Sequence, residues 1–514
     1  VIKGAYGNLY NSLLSSLSTV NKAAFGNAAL LIEKPIATAI GGMAARDMKV
    51  LRRAWYQYSA LGDSLLKGMS HLGMVFSKAS RNPDSVPYIV RDDIATKNIE
   101  EMRALGMAAK AYADNDEMGP QIMFNVAEGL FDLQSHPVLR WGTNGLSALD
   151  GFNRAVIANS EARGKAFDEL LETGERINGK SMRKAADRHY QMMFDSDGFV
   201  KDTAVEYMTR ETTFSLDNKA SNALNGLVQM MPALKPWILF SRTPMNMLSA
   251  TWNRSLTSVF AGDYNKIVGL PGKVHSVEEI KGILKDRGIP DDKHALQRFR
   301  QLQAEIKGRV ALGQTAVAAG MYLFMQDRVT GNGLYDKEKQ RTRRDGTWQA
   351  RSIKGLDGKW YSYGEIGPLA DWLSATVDVM DNFDMLSSHA FEDFGRKIGF
   401  VFAATVTERT TLAALQPLMD LLTGDEGKFQ RWLATTGSGF FPLSGLRGEI
   451  GRLLYPELAV FDREFGDHLR NRNKWMNAID PDGALPTRTD WVDGTTIGEP
   501  GNFFERIMNA SFPV

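Results

Sequence analysis

The chain contains no cysteine, which removes disulfides, thiolate metal sites and cysteine nucleophiles from consideration. The absence suits a protein that passes between reducing and oxidising compartments, and ordinary cytosolic life accounts for it equally well. It lacks an excess of either charge: 61 Lys and Arg face 60 Asp and Glu, a net charge of +1. No global field draws it to nucleic acid, and any such contact must come from a local patch. It has no internal repeat, no low-complexity tract, and no stretch ordered as charged residues, apolar core and small-residue cleavage site that would make a signal peptide. The first residues are Val1-Ile2-Lys3, without an initiator Met, and the expectation is a piece of a longer polypeptide, processed or partly ordered.

What is present is ordinary globular material. At 514 residues, 43% hydrophobic and 24% charged, the chain has ample apolar content for packed cores and is not generally disordered. The 23 methionines read as adaptable core filler. Apolar residues recurring at spacings of three and four, as in Leu61, Leu65, Leu66 and Met69, predict helices through residues 1–130. Breaks are expected near Gly41-Gly42, near Asn82-Pro83 to Pro87, and near Gly119-Pro120. Asp202-Thr203 followed by Glu206 resembles a capped helix start. Met231-Pro232, Lys235-Pro236 and Thr243-Pro244 predict a kinked or looped entry into a helix from about Pro244.

Residues 293–326 read as one long helix, amphipathic to Arg309 and nearly all apolar from Val310 to Met325. The apolar part, broken by Gln314 and Thr315, falls short of the roughly 20 residues of a spanning helix. It is either buried in a bundle or a conditional membrane helix. Ala23 to Ala45 is similar but carries Glu33, Lys34 and Pro35.

One β signal stands out. Trp348, Ala350 and Ser352 alternate with Gln349, Arg351 and Ile353; the turn-rich Lys354 to Gly358 follows, then Trp360 to Tyr363. This predicts a hairpin that must pack on helices, because a lone hairpin is marginal in water. The fold class is therefore mainly α: a multi-helix elongated or bundle architecture with one small β-hairpin and an irregular C-terminal tail over 471–514. The expected division is a helical region over 1–130, a central helical region over 131–330, a basic loop and hairpin over 331–370, and a C-terminal helical region with extended tail over 371–514.

No residue pattern makes a convincing catalytic, cofactor or metal site. Gly174 to Ser181 fits the phosphate-binding P-loop letter for letter, with Lys180 and Ser181 in the phosphate and magnesium positions. The Phe167 to Glu172 segment before it is a helical turn, where a P-loop needs a buried strand, so a helix–helix loop is expected. Asp195 to Gly198 and Asp480 to Gly483 suggest calcium loops. Their first and twelfth positions would be Met193 and Ala204, and Ala478 and Thr489, which cannot ligate, so both read as turns. The histidines, 71, 136, 189, 275, 294, 389 and 468, are scattered. Lys337, Lys339, Arg341, Arg343 and Arg344 precede the hairpin aromatics Trp348 and Trp360. Basic groups beside aromatics are the one candidate for DNA or membrane contact, against the plainer reading of a solvated loop beside a packed hairpin.

Three stretches taken together carry a family resemblance: Pro236 to Asn246, the hairpin with Tyr363-Gly364-Glu365-Ile366-Gly367-Pro368, and Leu485-Pro486 leading to Asp490 to Gly494, Gly498 and Phe503-Phe504. In this order they resemble the helical regions of very large phage proteins, the internal virion or DNA-ejection proteins of short-tailed phages, over about residues 130–514. The resemblance implies a protein packaged near the portal, released with the genome and helping to form a DNA conduit across the host envelope. It implies partners too: further copies of itself, other ejection proteins and the portal, phage DNA non-specifically, and the host membrane conditionally. The expected locations are the virion interior and, after ejection, the host periplasm and inner membrane. No active-site residues carry over and no enzymatic activity or cofactor is expected. Two alternatives stay open: the non-catalytic portion of a giant virion-packaged enzyme such as an RNA polymerase, and a nucleotide-binding motor resting on Gly174 to Ser181 alone.

Overall fold

The computed structural model describes residues 2–82, 85–87, 125–126, 128–129, 132–133, 136–230, 242–334, 337–344, 348–364, 367–382, 434, 436–460, 464–489 and 496. Among them the protein is mainly α, with a single two-stranded antiparallel sheet. The helices are α1 Ile2–Leu13, α2 Leu17–Ala44, α3 Met48–Ser59, α4 Leu61–Arg81, α5 Trp141–Thr173, α6 Gly179–Met192 and α7 Thr203–Thr212. After these come α8 Lys219–Met230, α9 Arg242–Trp252, α10 Val277–Asp286, α11 Ala295–Met325 and α12 Lys337–Arg344. Strands β1 Ser352–Lys354 and β2 Trp360–Ser362 precede α13 Pro368–Asp381, α14 Ser444–Leu454 and α15 Phe465–Arg472. Two compact units emerge, each drawn from separated stretches: Val1–Ala24, Leu72–Gly151 and Ala414–Val514 in one, Phe25–His71 and Phe152–Ala413 in the other.

In the first unit a buried carboxylate organises the start of α2. Glu449 of α14 accepts hydrogen bonds from the backbone N–H of Leu17 (2.8 Å) and Ser18 (2.6 Å) and from the Ser16 hydroxyl. Those N–H groups have no partner inside the helix, and a carboxylate there also meets the positive end of the helix dipole. Gly142 lies so close to the Leu14 carbonyl that a Cβ would stand 2.0 Å from its oxygen.

Among the described residues, the second unit holds four apolar clusters. Phe167, Leu170 and Met182 pack α5 on α6, with Tyr56 of α3 stacked on Phe167 at 5.1 Å between ring centroids. Ile157, Met193 and Val205 bind α5 to α7, and Phe299, Leu302 and Ile306 of α11 pack on Ile267 and Leu284. Helices α2 and α11 cross backbone to backbone. A Cβ on Gly41 would lie 1.8 Å from the Ala304 oxygen, and one on Gly308 would lie 1.8 Å from the Ala37 oxygen.

The break expected near Gly41-Gly42 falls just beyond them, at Ala45 to Asp47 between α2 and α3. Helix α2 runs through Pro35 and both glycines to Ala44 before it ends, and Gly41 is the residue that lets α11 approach. The capped start at Asp202 is present, its side chain accepting from Ala204 and Val205 N–H. Glu206 does not close the cap; it reaches Arg154 instead. Helix α9 begins at Arg242, with Pro244 in its first turn, where a missing N–H costs nothing. The prolines at 232 and 236, and the break expected at 119–120, lie outside the described residues.

The hairpin is shorter than the alternation suggests. Arg351, at φ +50°, interrupts the extended run, so Trp348 and Ala350 fall outside β1. The register pairs Ser352 with Ser362 and Lys354 with Trp360, and Gly358 turns at φ +80°. Residues 328–331 lie along the other edge of β1, with Thr330 N–H donating to Ser352 O at 2.9 Å and Lys354 N–H to Arg328 O at 2.9 Å. The hairpin packs on helices, as a small sheet must: Val329, Ile353 and Tyr363 join Leu323 and Phe324 of α11 and Ala370, Leu373 and Val377 of α13. Tyr363 is the anchor, 3% exposed, its hydroxyl donating to Thr330 O at 2.8 Å. Trp360 is only half-buried.

Tyr363→Ala is therefore expected to cost about 3–5 kcal/mol in urea unfolding, and Trp360→Ala clearly less. Equal penalties would contradict this assignment of the anchor.

Candidate functional site

The basic run before the hairpin is a helix, α12. Among its cations Lys339 is exposed, while Arg343 is half-buried and donates to Asp381 at 3.1 Å. Buried Gln340 accepts the Leu334 N–H at 2.7 Å and ties the helix down. The side chains of Lys337, Arg341 and Arg344 lie outside the described residues. Trp348 and Trp360 are both half-buried, and Lys354 from the facing strand stands 5.9 Å over the Trp360 ring.

Two buried aspartates of α13 hold this region. Asp378 accepts from Asn332 N–H (2.6 Å), Asn332 Nδ2 (2.9 Å) and Gly333 N–H (3.3 Å). Asp371 accepts from Arg351 Nη2 (2.7 Å) and the Thr251 hydroxyl (3.2 Å). Paired buried carboxylates can work as acid and base, but here both are occupied in fixing loops. Sequence reasoning passed them over, and their seven-residue spacing on one apolar helix is the signal that could have found them.

The P-loop pattern is a helix–helix connection. Helix α5 ends at Thr173, Gly174 turns at φ +69°, and Asn178 caps α6 by accepting from Lys180 and Ser181 N–H. The Ser181 hydroxyl accepts the Asn178 N–H at 3.1 Å and donates to Arg176 O at 2.8 Å. It is spent on the capping box. Asp195 Oδ1 accepts from Asp197 and Phe199 N–H, and Asp480 Oδ1 accepts from Gly483 N–H; both segments are turns. His189 pairs with Glu169, His294 with Glu172 and His275 with Glu279. No group of three or more His, Asp or Glu among the described residues could hold a metal.

The strongest concentration of charge lies inside the second unit, where α2, α3, α5, α7 and α11 converge. Arg254 forks onto Glu33 at 2.7 and 3.0 Å, with both side chains buried. Arg309 forks onto Glu211 at 2.7 and 3.0 Å and reaches Glu305 at 2.5 Å, while Lys34 lies 3.8 Å from Glu305. Arg53 bridges Glu161 (2.7 Å) and Asp168 (3.0 Å) of α5. Two clefts enclosing about 810 and 880 Å³, open solvent included, share Lys34, Tyr207, Glu211 and Arg309 in their walls.

Burial by itself would raise the Glu211 carboxyl, but Arg309 more than offsets it and holds Glu211 well below the carboxylate range. Burial likewise opposes Glu161, and Arg53 with Lys165 holds it low. Arg53 and Arg309 are held above their ordinary range by these same carboxylates, against burial. Tyr207 is pushed up to about 12, chiefly by burial. The first cleft has no histidine, serine or cysteine in its wall. Each arginine of the wall is held by a carboxylate, Arg53 by Glu161, Arg309 by Glu211 and Glu305, and Arg287 and Arg298 by Asp263 and Asp292 from outside it, so these pairs tie the surrounding elements together.

No family model, no curated protein and no solved structure matches this chain.

Buried pairs of this kind lose heavily when one partner is removed. Arg309→Met is expected to cost about 3 kcal/mol at pH 7, the low end for a buried pair, because Glu305 stays buried and Glu211 half-buried without their main cation. The folded carboxyl pKa is depressed, so the pair's stability is complete above the unfolded value near 4.3 and is lost as pH falls through the folded one. The variant's deficit should therefore shrink below about pH 4. Urea unfolding at pH 7 and pH 3 decides: an undiminished deficit at pH 3, or none at pH 7, would contradict the pairing.

Proposed function

We propose that this chain is a structural internal virion protein of a phage, ejected with the genome, which helps to form a DNA conduit across the host cell envelope. It acts by assembly, in several copies, rather than by catalysis. The observation that carries the reading is the ordered set of three segments, around Pro236 to Asn246, Tyr363 to Pro368, and Leu485 to Phe504. The local roles of the described parts support it. Tyr363 is a buried anchor, Gly367 turns the chain at φ +85°, and Pro368 opens α13; Asn246 donates to Phe214 O and Leu216 O and fastens α9. These residues form packing corners. The buried charge network supports it too, since its ion pairs join helices. In this reading the partners are further copies of the chain, the portal and other ejection proteins, the phage DNA backbone, and the host membrane during ejection.

Mass spectrometry of purified particles before and after genome release tests the proposal. The chain is expected in full particles and depleted from emptied ones. Its absence from full particles would end the reading.

A further inference from the structure

Helix α2 is built with its large apolar residues outward. Phe25, Ile32, Ile36 and Met43 are 60%, 46%, 37% and 57% exposed, while Ala37, Gly41 and the paired Glu33 face the interior. Soluble helices ordinarily show the reverse, and small residues at the helix contact with large apolar ones outside is the pattern of helices that face lipid. No helix among the described residues is long and apolar enough to cross a membrane, so a surface association is the arrangement to consider.

Helix α3 supplies the complementary charge. It buries Val50, Arg53 and Ala54. Its opposite face carries Met48 and Trp55, 58% and 65% exposed, with Lys49 and Arg52 beside them. It contains no acidic residue, and its N-cap Asp47 is engaged by the Lys49 and Val50 N–H groups. Arg46, in the turn between the helices, is exposed as well. Among the described residues no carboxylate pairs with Arg46, Lys49 or Arg52. Cations flanking Trp and Met on one helical face are what an anionic lipid surface accepts: the ammonium and guanidinium groups meet the headgroups while the indole and thioethers enter the interfacial layer.

We propose that the end of α2 and the outer face of α3, residues 43–55, form a docking surface for an anionic bilayer. A second copy fits less well, because a two-fold contact would set like cations against each other. Single-stranded nucleic acid fits less well, because the surface offers one tilted aromatic pair, Trp55 and Tyr58 at 6.4 Å between ring centroids, and methionines at 43 and 48 in place of further stacking rings. The inference rests on this surface alone and does not require the virion reading.

The test uses the full chain and vesicles of phosphatidylglycerol with phosphatidylcholine, against phosphatidylcholine alone and a single-stranded oligonucleotide. Co-sedimentation is expected with the anionic vesicles only and should weaken as salt rises. Lys49→Glu with Arg52→Glu should weaken it by at least about thirtyfold, since each cation contributes roughly fivefold at an anionic surface. Trp55→Ser should also weaken it, and unchanged thermal unfolding would show that these exposed substitutions leave the fold intact. Failure to bind anionic vesicles, equal binding by the variants, or tighter binding to the oligonucleotide would each overturn the proposal. A chain found in particles yet indifferent to vesicles would end this inference and leave the virion reading standing.

Discussion

The second unit depends on the contact where α2 and α11 cross with their backbones touching. Ala37 and Gly41 on one helix meet Ala304 and Gly308 on the other, a reciprocal pair of small residues four apart. Only residues with little or no side chain allow this approach, and it brings Cα–H groups against carbonyl oxygens, each a weak favourable contact. It also fixes where everything longer must go. Glu33 and Lys34 precede Ala37 by one turn, and Glu305 and Arg309 adjoin Ala304 and Gly308, so the crossing carries their charged groups into one confined space. The ion pairs to Arg254, Glu211 and Lys34 follow from that placement.

The same geometry explains why the buried charges are tolerated. A lone carboxylate or guanidinium in such a place would be very costly. Here Glu211 receives a forked arginine from α11, Glu161 a bridging arginine from α3, and Glu33 a forked arginine from the turn after α9. Each arginine is thereby committed to a position, and the helices are held in register by directional bonds that greasy contacts would not supply. Gly313, close against the Arg254 carbonyl with 2.0 Å to a notional Cβ, continues the tight packing along α11. Helix α13 then packs beside its C-terminal part through Gly320 and supplies the aspartates that hold the hairpin.

Much of the fold class was legible in the sequence. The long helix over 293–326, the capped start at Asp202, the loop at 174–181 and the presence of a hairpin all stand in the structure within a few residues. What stayed hidden has one physical origin. The spacing of Leu65, Leu66 and Met69 marks α4 as a helix but not its buried face: they are 55%, 76% and 59% exposed, and the buried face is Ser64, Gly68, His71 and Val75. Gly68 lies against Phe152 and Val156, and Ser64 accepts a hydrogen bond from Asn159. Where helices meet through small and polar residues, apolar periodicity points outward. The buried ion pairs join residues far apart in sequence, as Glu33 does with Arg254, and no local pattern announces them. The basic run at 337–344 was legible as a run, but the pairing of Arg343 with Asp381 was not.

If the α2–α11 crossing is the constraint on which the second unit depends, adding one methyl group there should loosen distant elements together. Hydrogen–deuterium exchange on the full chain with Gly308→Ala measures this directly. The account predicts lost amide protection across α2, α7 and α11 at once, with α6, packed on α5 away from the crossing, much less affected. Unchanged protection in α2 and α7 would contradict it and would make the crossing an incidental contact.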